Sequence, residues 1–84
     1  ILGEKHPDYA TSLSNLGEIV QELGDHKAAL AFHLRAMAIR KEALGEKHPK
    51  YATSLHNLAS LAGAVGNYES ALVLSRQALA VRKQ

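Results

Sequence analysis

Residues 2–13 read LGEKHPDYATSL and residues 44–55 read LGEKHPKYATSL, so the two stretches differ only at Asp8 and Lys50. The offset of 42 residues, from Leu2 to Leu44, continues without a gap through the rest of the chain. Equivalent pairs further along are Asn15/Asn57, Leu16/Leu58, Gly24/Gly66, Ala29/Ala71, Leu30/Leu72, Ala36/Ala78, Ala38/Ala80, Arg40/Arg82 and Lys41/Lys83. A period in this range is typical of solenoid arrays. We therefore expect one tandem-repeat domain over 1–84, with copy one at about 2–43 and copy two at about 44–84, cut from a longer array.

Each copy is predicted to form two helices joined by a tight turn. Pro7 and Pro49 suit the first position of a helix, where proline lacks only an N–H that the helix leaves unused. Gly24 is expected to end the first helix of copy one in a left-handed conformation. Asp25 and Asn67 are expected to cap the helices that follow.

The apolar residues follow the spacing of amphipathic helices. The first helices carry Leu13, Leu16, Gly17, Val20 and Leu23 in copy one and Leu55, Leu58, Ala59, Ala62 and Val65 in copy two. The second helices carry Ala29, Leu30, Phe32, Ala36, Met37 and Ile39, and then Ala71, Leu72, Leu74, Ala78, Leu79 and Val81. Helix two of copy one should run to about Leu44, where Gly45 stops it. The predicted fold is all-α: four antiparallel helices stacked as a short right-handed α-solenoid.

Small residues recur at the same phase of both copies, which predicts close helix packing. The pairs are Gly17/Ala59, Ala29/Ala71 and Ala36/Ala78. Helix axes approach more closely where the contact residues are small. These positions are therefore expected to let the two helices of each hairpin nest.

Composition argues against several functional classes. The net charge is +2, from 10 Lys and Arg against 8 acidic residues, and the densest basic stretch is Arg35, Arg40 and Lys41. This scattered excess does not predict nucleic-acid binding, which needs a clustered basic surface. No apolar run approaches the ~20 residues that cross a bilayer, and the start has no signal-peptide pattern. We expect no membrane partner and a cytoplasmic location.

The sequence resembles the tetratricopeptide repeat family. Its signature of a large residue, Leu-Gly and a later aromatic corresponds to Leu13-x2-Leu16-Gly17-x2-Val20 and to Leu55-x2-Leu58-Ala59-x2-Ala62. Its Ala-x3-Phe corresponds to Ala29-x3-His33 and Ala71-x3-Ser75. The 42-residue period and the LGEKHP connector resemble the kinesin-light-chain-like branch. Val20, Ala62, His33 and Ser75 depart from the signature, which is expected to weaken packing.

The resemblance implies a protein-interaction module that binds a peptide in a concave groove formed by the first helix of each repeat. The predicted peptide-binding residues are Thr11, Ser14, Asn15, Glu18, Gln21, Glu22, Thr53, His56, Asn57 and Ser60. The Asn15 and Asn57 amides can donate and accept hydrogen bonds, which suits a peptide backbone. Glu18 and Glu22 make the groove of copy one acidic, whereas Gly63 and Ala64 leave that of copy two neutral. This contrast favours a basic or apolar peptide.

No catalytic, metal or cofactor site is predicted. His6 and His48 belong to the repeated connector, where capping or turn packing before proline is the expected role. His26 and His33 lie two helical turns apart, about 10 Å, which is too far to share one metal without a third ligand. His56 stands alone. The serines have no matching His and Asp arrangement, and LGEK lacks the spacing of a phosphate-binding loop.

Self-association is expected because a repeat array needs about three units and polar caps to be stable alone. The last helix keeps Leu72, Leu74, Leu79 and Val81 with no later repeat to cover them. Copies could stack head to tail, pair about a two-fold axis, or exchange a hairpin across the Gly45–Pro49 hinge. The alternative function is therefore a structural or engineered repeat fragment that mainly self-associates, although divergence between 18–23 and 60–65 favours a natural sequence. A regulatory role beside an NTPase domain is implied by the resemblance alone.

Overall fold

The computed structural model describes residues 6–82, which form four α-helices. These are α1 (Pro7–Glu22), α2 (His26–Leu44), α3 (Pro49–Ala64) and α4 (Tyr68–Arg82). Within this range there is no strand, and each helix packs against the next one along the chain. The all-α prediction is confirmed, and the helix pairs form a short solenoid.

The first helix of each copy ends in the same way. Gly24 and Gly66 have φ angles of 92° and 85°, a left-handed region that favours glycine. The N–H of Asp25 then donates to the carbonyl of Val20 at 2.9 Å, and that of Asn67 donates to the carbonyl of Ala62 at 2.8 Å. The predicted stop at Gly24 is confirmed, and Gly66 ends α3 in the same way.

Side chains before each helix accept hydrogen bonds from its first turn. The Oδ1 atom of Asp25 accepts from the N–H of Ala28 at 3.1 Å, and that of Asn67 accepts from the N–H of Ser70 at 3.3 Å. His6 and His48 cap α1 and α3, each accepting at Nδ1 from the backbone N–H two residues later, at 3.1 Å and 3.0 Å. The capping roles of all four residues were correctly predicted.

Two equivalent apolar clusters fill the hairpins. The first contains Ala10, Leu13, Ala36 and Ile39, with Tyr9 and Phe32 packed against it. The second contains Ala52, Leu55 and Ala78, with Met37, Tyr51, Leu74 and Val81 packed against it. Met37 comes from α2, so copy one contributes a side chain to the cluster of copy two.

Part of the predicted apolar face of α1 is exposed. Leu13 and Gly17 are buried, but Leu16 and Leu23 are 45% and 79% exposed. Leu58, which is equivalent to Leu16, is only 5% exposed, because α2 packs against α3 and the matching side of α1 has no such neighbour within residues 6–82. The apolar spacing of α1 therefore does not make Leu16 a core residue, and Leu23 is exposed just as its equivalent Val65 is, at 55%.

Arg40 joins three helices from the interior of the fold. It is 4% exposed, and its Nη1 donates to the hydroxyl of Ser54 at 2.9 Å and to the carbonyl of Lys50 at 3.4 Å. Its Nη2 lies 3.5 Å from the hydroxyl of Thr11. Burial lowers the pKa of Arg40. The residue therefore belongs to the packing between the copies and does not add to a basic surface.

Candidate peptide-binding cleft

A cleft of about 320 Å³ lies between α1 and α3. Six of the ten predicted peptide-binding residues line it, together with Ala64 and two histidines of α2. The full set is Glu18, Gln21, Glu22, His26, His33, His56, Asn57, Ser60 and Ala64. The structure thus brings the first helices of the two copies together around one concavity.

Helical spacing explains which side chains meet there. Glu18, Gln21 and Glu22 are three and four residues apart, so they occupy one face of α1. On α3, His56 and Ser60 are separated by one turn, and Asn57 lies beside them. The α2 helix, packed against both α1 and α3, supplies the floor of the cleft.

The other four predicted residues do not line this cleft. Thr11 and Thr53 donate from their hydroxyls to the carbonyls of Pro7 and Pro49, at 3.4 Å and 3.2 Å, within their own helices. Ser14 is only 5% exposed. Asn15 is exposed on α1, although its counterpart Asn57 lines the cleft.

His33 is the most deeply buried group of the cleft, at 1% exposed. Neither ring nitrogen has a hydrogen-bond partner among the described residues. Burial is the main cause that lowers its pKa below 6.5, Arg40 also lowers it, and the Glu18 carboxylate opposes both. The imidazole is therefore neutral at pH 7 and carries one free acceptor nitrogen.

Asn57 is a second polar group with an unused hydrogen bond. The residue is half-buried. Its Nδ2 atom is inaccessible to water, and no acceptor among residues 6–82 pairs with it. Buried polar atoms of folded proteins are nearly always paired. Rotation of the Asn57 side chain would be needed to bring this donor to a carbonyl group in the cleft.

The rim of the cleft is acidic. Glu18 and Glu22 are exposed on the α1 side, and no Lys or Arg belongs to the lining in the described range. Carboxylates near a concave surface attract cations and raise their local concentration. The electrostatics therefore suit a positively charged group.

His26 and His33 were not predicted to belong to a site. His33 replaces the phenylalanine of the signature and was expected only to weaken packing. The sequence did contain one indication of a special role for His33. The residue stands at a core position of α2 where the signature has an apolar side chain, and an imidazole there has no obvious hydrogen-bond partner.

A second cleft, of about 510 Å³, lies over α3 between α2 and α4. Its lining is mainly aliphatic and was not predicted as a site. The apolar members are Leu30, Leu34, Met37, Leu55, Leu58, Leu61, Ala62, Val65 and Leu74. It is a second concavity that could accept a ligand, one of apolar character.

The four antiparallel helices, repeated at one spacing around a concave side, define a helical-repeat protein. A family model described as tetratricopeptide repeat matches residues 8–84, and the chain belongs to the tetratricopeptide repeat family. Domains of this family generally act as scaffolds for protein–protein interaction. No curated protein matches the sequence.

The described residues include neither a membrane-spanning helix nor a group of metal ligands. No helix there combines the length and apolarity that a membrane crossing requires. Within the same range, no three His, Cys, Asp or Glu side chains group as metal ligands would.

Proposed function

We propose that this chain is a non-catalytic interaction module that binds a peptide segment of a partner protein in the cleft between α1 and α3. The convergence of six predicted groove residues, three from each copy, on one concavity carries the proposal. The kinesin-light-chain-like branch and a cytoplasmic location remain predictions from the sequence.

The chemistry of the cleft favours a peptide with a Lys or Arg side chain. Glu18 and Glu22 offer carboxylates at the rim, and charge-assisted hydrogen bonds to such groups are the stronger ones. Asn57 also lines the cleft, and its unpaired Nδ2 would donate to a backbone carbonyl after a rotation of the amide. A basic residue in an extended segment could use both kinds of contact.

Peptides selected from a random display library provide the first test. Asn57→Ala should weaken binding of a selected peptide about fivefold, because a hydrogen bond inside the cleft contributes about 1 kcal/mol. Asn15→Ala is the matched control, since it changes the same residue type at the same repeat position but outside the cleft. Its affinity should stay within about twofold of the parent. Equal affinities for the parent and both variants, measured by calorimetry, would remove the proposal.

A charge variant tests the class of peptide. Glu18→Gln with Glu22→Gln should weaken a lysine-containing peptide and reduce the salt dependence of its binding. Glu69→Gln removes an exposed carboxylate from α4 and should change neither. If the double variant bound the peptide as tightly as Glu69→Gln did, the cationic specificity would be excluded.

A structural role through self-association is the second candidate. The observation that favours it is the exposure of large apolar side chains at both ends of the solenoid, such as Ile19 at 55% and Leu79 at 56%. The two roles are compatible because these residues do not line the acidic cleft.

A further inference from the structure

The apolar cleft over α3 is built from three helices and lies where the two copies meet. Its floor is α3, on which Leu55, Leu58 and Leu61 are buried. Its walls are α2 and α4, and Leu30 and Leu34 of the α2 wall are exposed along its edge. The volume of about 510 Å³ falls within the range of small-molecule sites, which is about 300–1,000 Å³.

A repeat added after α4 would not cover this cleft. On α4 the lining includes Leu74 and Gln77. The residues 42 positions earlier on α2 face α1, because Phe32 packs against the apolar cluster of copy one and Arg35 lies over an aromatic ring of α1. The α3 helix lies on a different side of α2, where Arg40 donates hydrogen bonds to it. A helix placed on α4 as α3 is placed on α2 would therefore lie away from the cleft.

One small side chain of α3 accounts for part of the open space. Ala62 lines the cleft at the position where the family signature has an aromatic residue. A ring at this position would extend into the space between α2 and α4. The equivalent residue of copy one is Val20, which is also larger than alanine. The open cleft is therefore a feature of this sequence and does not follow from the repeat fold alone.

Most polar residues of the lining lie at one end of the cleft. His26 and Lys27 begin α2, and Asn67 precedes α4. Lys27 is exposed, and its ammonium has no ion-pair partner among the described residues. Asp25 and Glu69 adjoin this end in the sequence, but no carboxylate of the described range belongs to the lining. This end therefore suits an anionic group, and the remainder of the cleft suits an apolar chain.

We propose that the cleft binds an unbranched fatty acid, with the alkyl chain over α3 and the carboxylate at Lys27. The lining of α2 runs from His26 to Met37, which is about 16 Å along a helix. With C–C bonds of about 1.52 Å, an extended chain of about twelve carbons has a similar length. Burial of the chain drives binding, and Lys27 sets its direction.

Calorimetric titration with laurate below its micellar concentration tests the proposal. The parent chain should bind one laurate per chain. Ala62→Leu fills part of the cleft and should weaken laurate binding at least tenfold. Ala62→Val is the milder variant, because copy one carries valine at the equivalent position, and should show a smaller loss. Ala38→Leu is the matched control, since it adds bulk at an exposed position of α2 outside the cleft, and it should bind laurate as the parent chain does.

Lys27→Gln tests the direction of the ligand. It should weaken laurate binding about threefold, because an exposed charge pair contributes modestly. Binding of dodecyltrimethylammonium, which has the same alkyl chain and a cationic head, should be weaker than that of laurate in the parent chain and should not fall in this variant. Lys50→Gln makes the same charge change at an exposed position outside the cleft and should bind laurate as the parent chain does. Asn57→Ala should also leave laurate binding unchanged, which separates this site from the peptide site.

The absence of saturable laurate binding to the parent chain would overturn the proposal. Equal laurate affinities of the parent chain and Ala62→Leu, or of Lys27→Gln and Lys50→Gln, would overturn it too. Circular dichroism checks the helical fold of each variant, and if Ala62→Leu unfolds, Ala62→Val decides in its place. A cleft filled by a second copy of the chain would appear in sedimentation as a dimer that Ala62→Leu dissociates, and this outcome would likewise contradict the proposal.

Discussion

The imidazole of His33 lies where a methyl group on Gly17 would have to be. A Cβ added to Gly17 would be 2.7 Å from Cε1 and 2.8 Å from Nε2 of His33, both shorter than real contacts. The ring is 1% exposed, so its neighbours hold it in place. In copy two the equivalent residues are Ala59 and Ser75, a larger residue facing a smaller one. In copy one a small residue on α1 faces a large one on α2, and in copy two a larger residue on α3 faces a smaller one on α4. The combined side-chain volume of the pair is therefore partly conserved between the copies.

Replacing Gly17 with alanine should destabilise the fold by about 1–3 kcal/mol, because the added methyl group overpacks the contact with His33. Gly63→Ala is the matched control, since nothing lies within 4 Å of a Cβ at that helical position. It should stabilise the fold by up to about 1 kcal/mol through helix propensity. Urea denaturation measures both changes, and a stabilised Gly17→Ala variant would contradict the packing described.

A double-mutant cycle should show that Gly17 and His33 are coupled. On a His33→Ser background, which reproduces the Ala59 and Ser75 pairing, Gly17→Ala should lose most of its cost. Contacting residues show interaction energies of about 0.5–3 kcal/mol. Additive free energies of unfolding in the four proteins of the cycle would mean that the clash does not exist.

Replacing Arg40 with alanine should destabilise the fold by about 2–3 kcal/mol, because the buried hydroxyl of Ser54 loses its charged donor. Arg35→Ala is the control. Arg35 is exposed, and its guanidinium lies 5.5 Å from the ring centre of Tyr9, a contact that contributes about 0.5–1 kcal/mol. The midpoint temperature of thermal unfolding should be well below that of Arg35→Ala for Arg40→Ala. Equal midpoints would refute the proposal that the hydrogen bonds of Arg40 hold the two copies together.

Stability should fall as the pH drops below about 6.5, because burial lowers the pKa of His33 in the folded chain. In that window the unfolded chain binds a proton that the folded chain does not bind, which favours unfolding. Above pH 6.5 the imidazole is neutral in both states and contributes no pH dependence.

The measurement is the urea midpoint at pH 7.5 and at pH 5.5. The parent chain should lose more stability between the two values than His33→Gln does. His56→Gln changes an exposed histidine, and its urea midpoint should fall between pH 7.5 and pH 5.5 by as much as that of the parent chain. Identical losses in the parent and in His33→Gln would show that His33 does not cause the effect.

The sequence predicted the fold well because its helix boundaries depend on local chemistry. Pro7, Gly24 and Asp25 act through backbone geometry and short-range hydrogen bonds, and these can be read from residue type. The exposure of Leu16 could not be read in this way. Its burial depends on whether another helix lies beside α1, and the apolar pattern within one helix does not contain that information.

The cleft was predicted in part for a related reason. Helical phase placed Glu18, Gln21 and Glu22 on one face of α1, and the structure brings that face beside His56 and Asn57. The contribution of His33 depends on the distance between α1 and α2, which Gly17 shortens. Ser14 was assigned to the face of α1 opposite the apolar stripe, although it is buried.

Backbone NMR of the labelled chain, titrated with a lysine-containing peptide selected by display, tests most directly whether the acidic cleft is the binding site. The expected result is a set of amide shift changes centred on Glu18, Glu22, Asn57 and Ser60. Changes confined to Leu30, Leu34 and Leu74, which line the apolar cleft between α2 and α4, would contradict it.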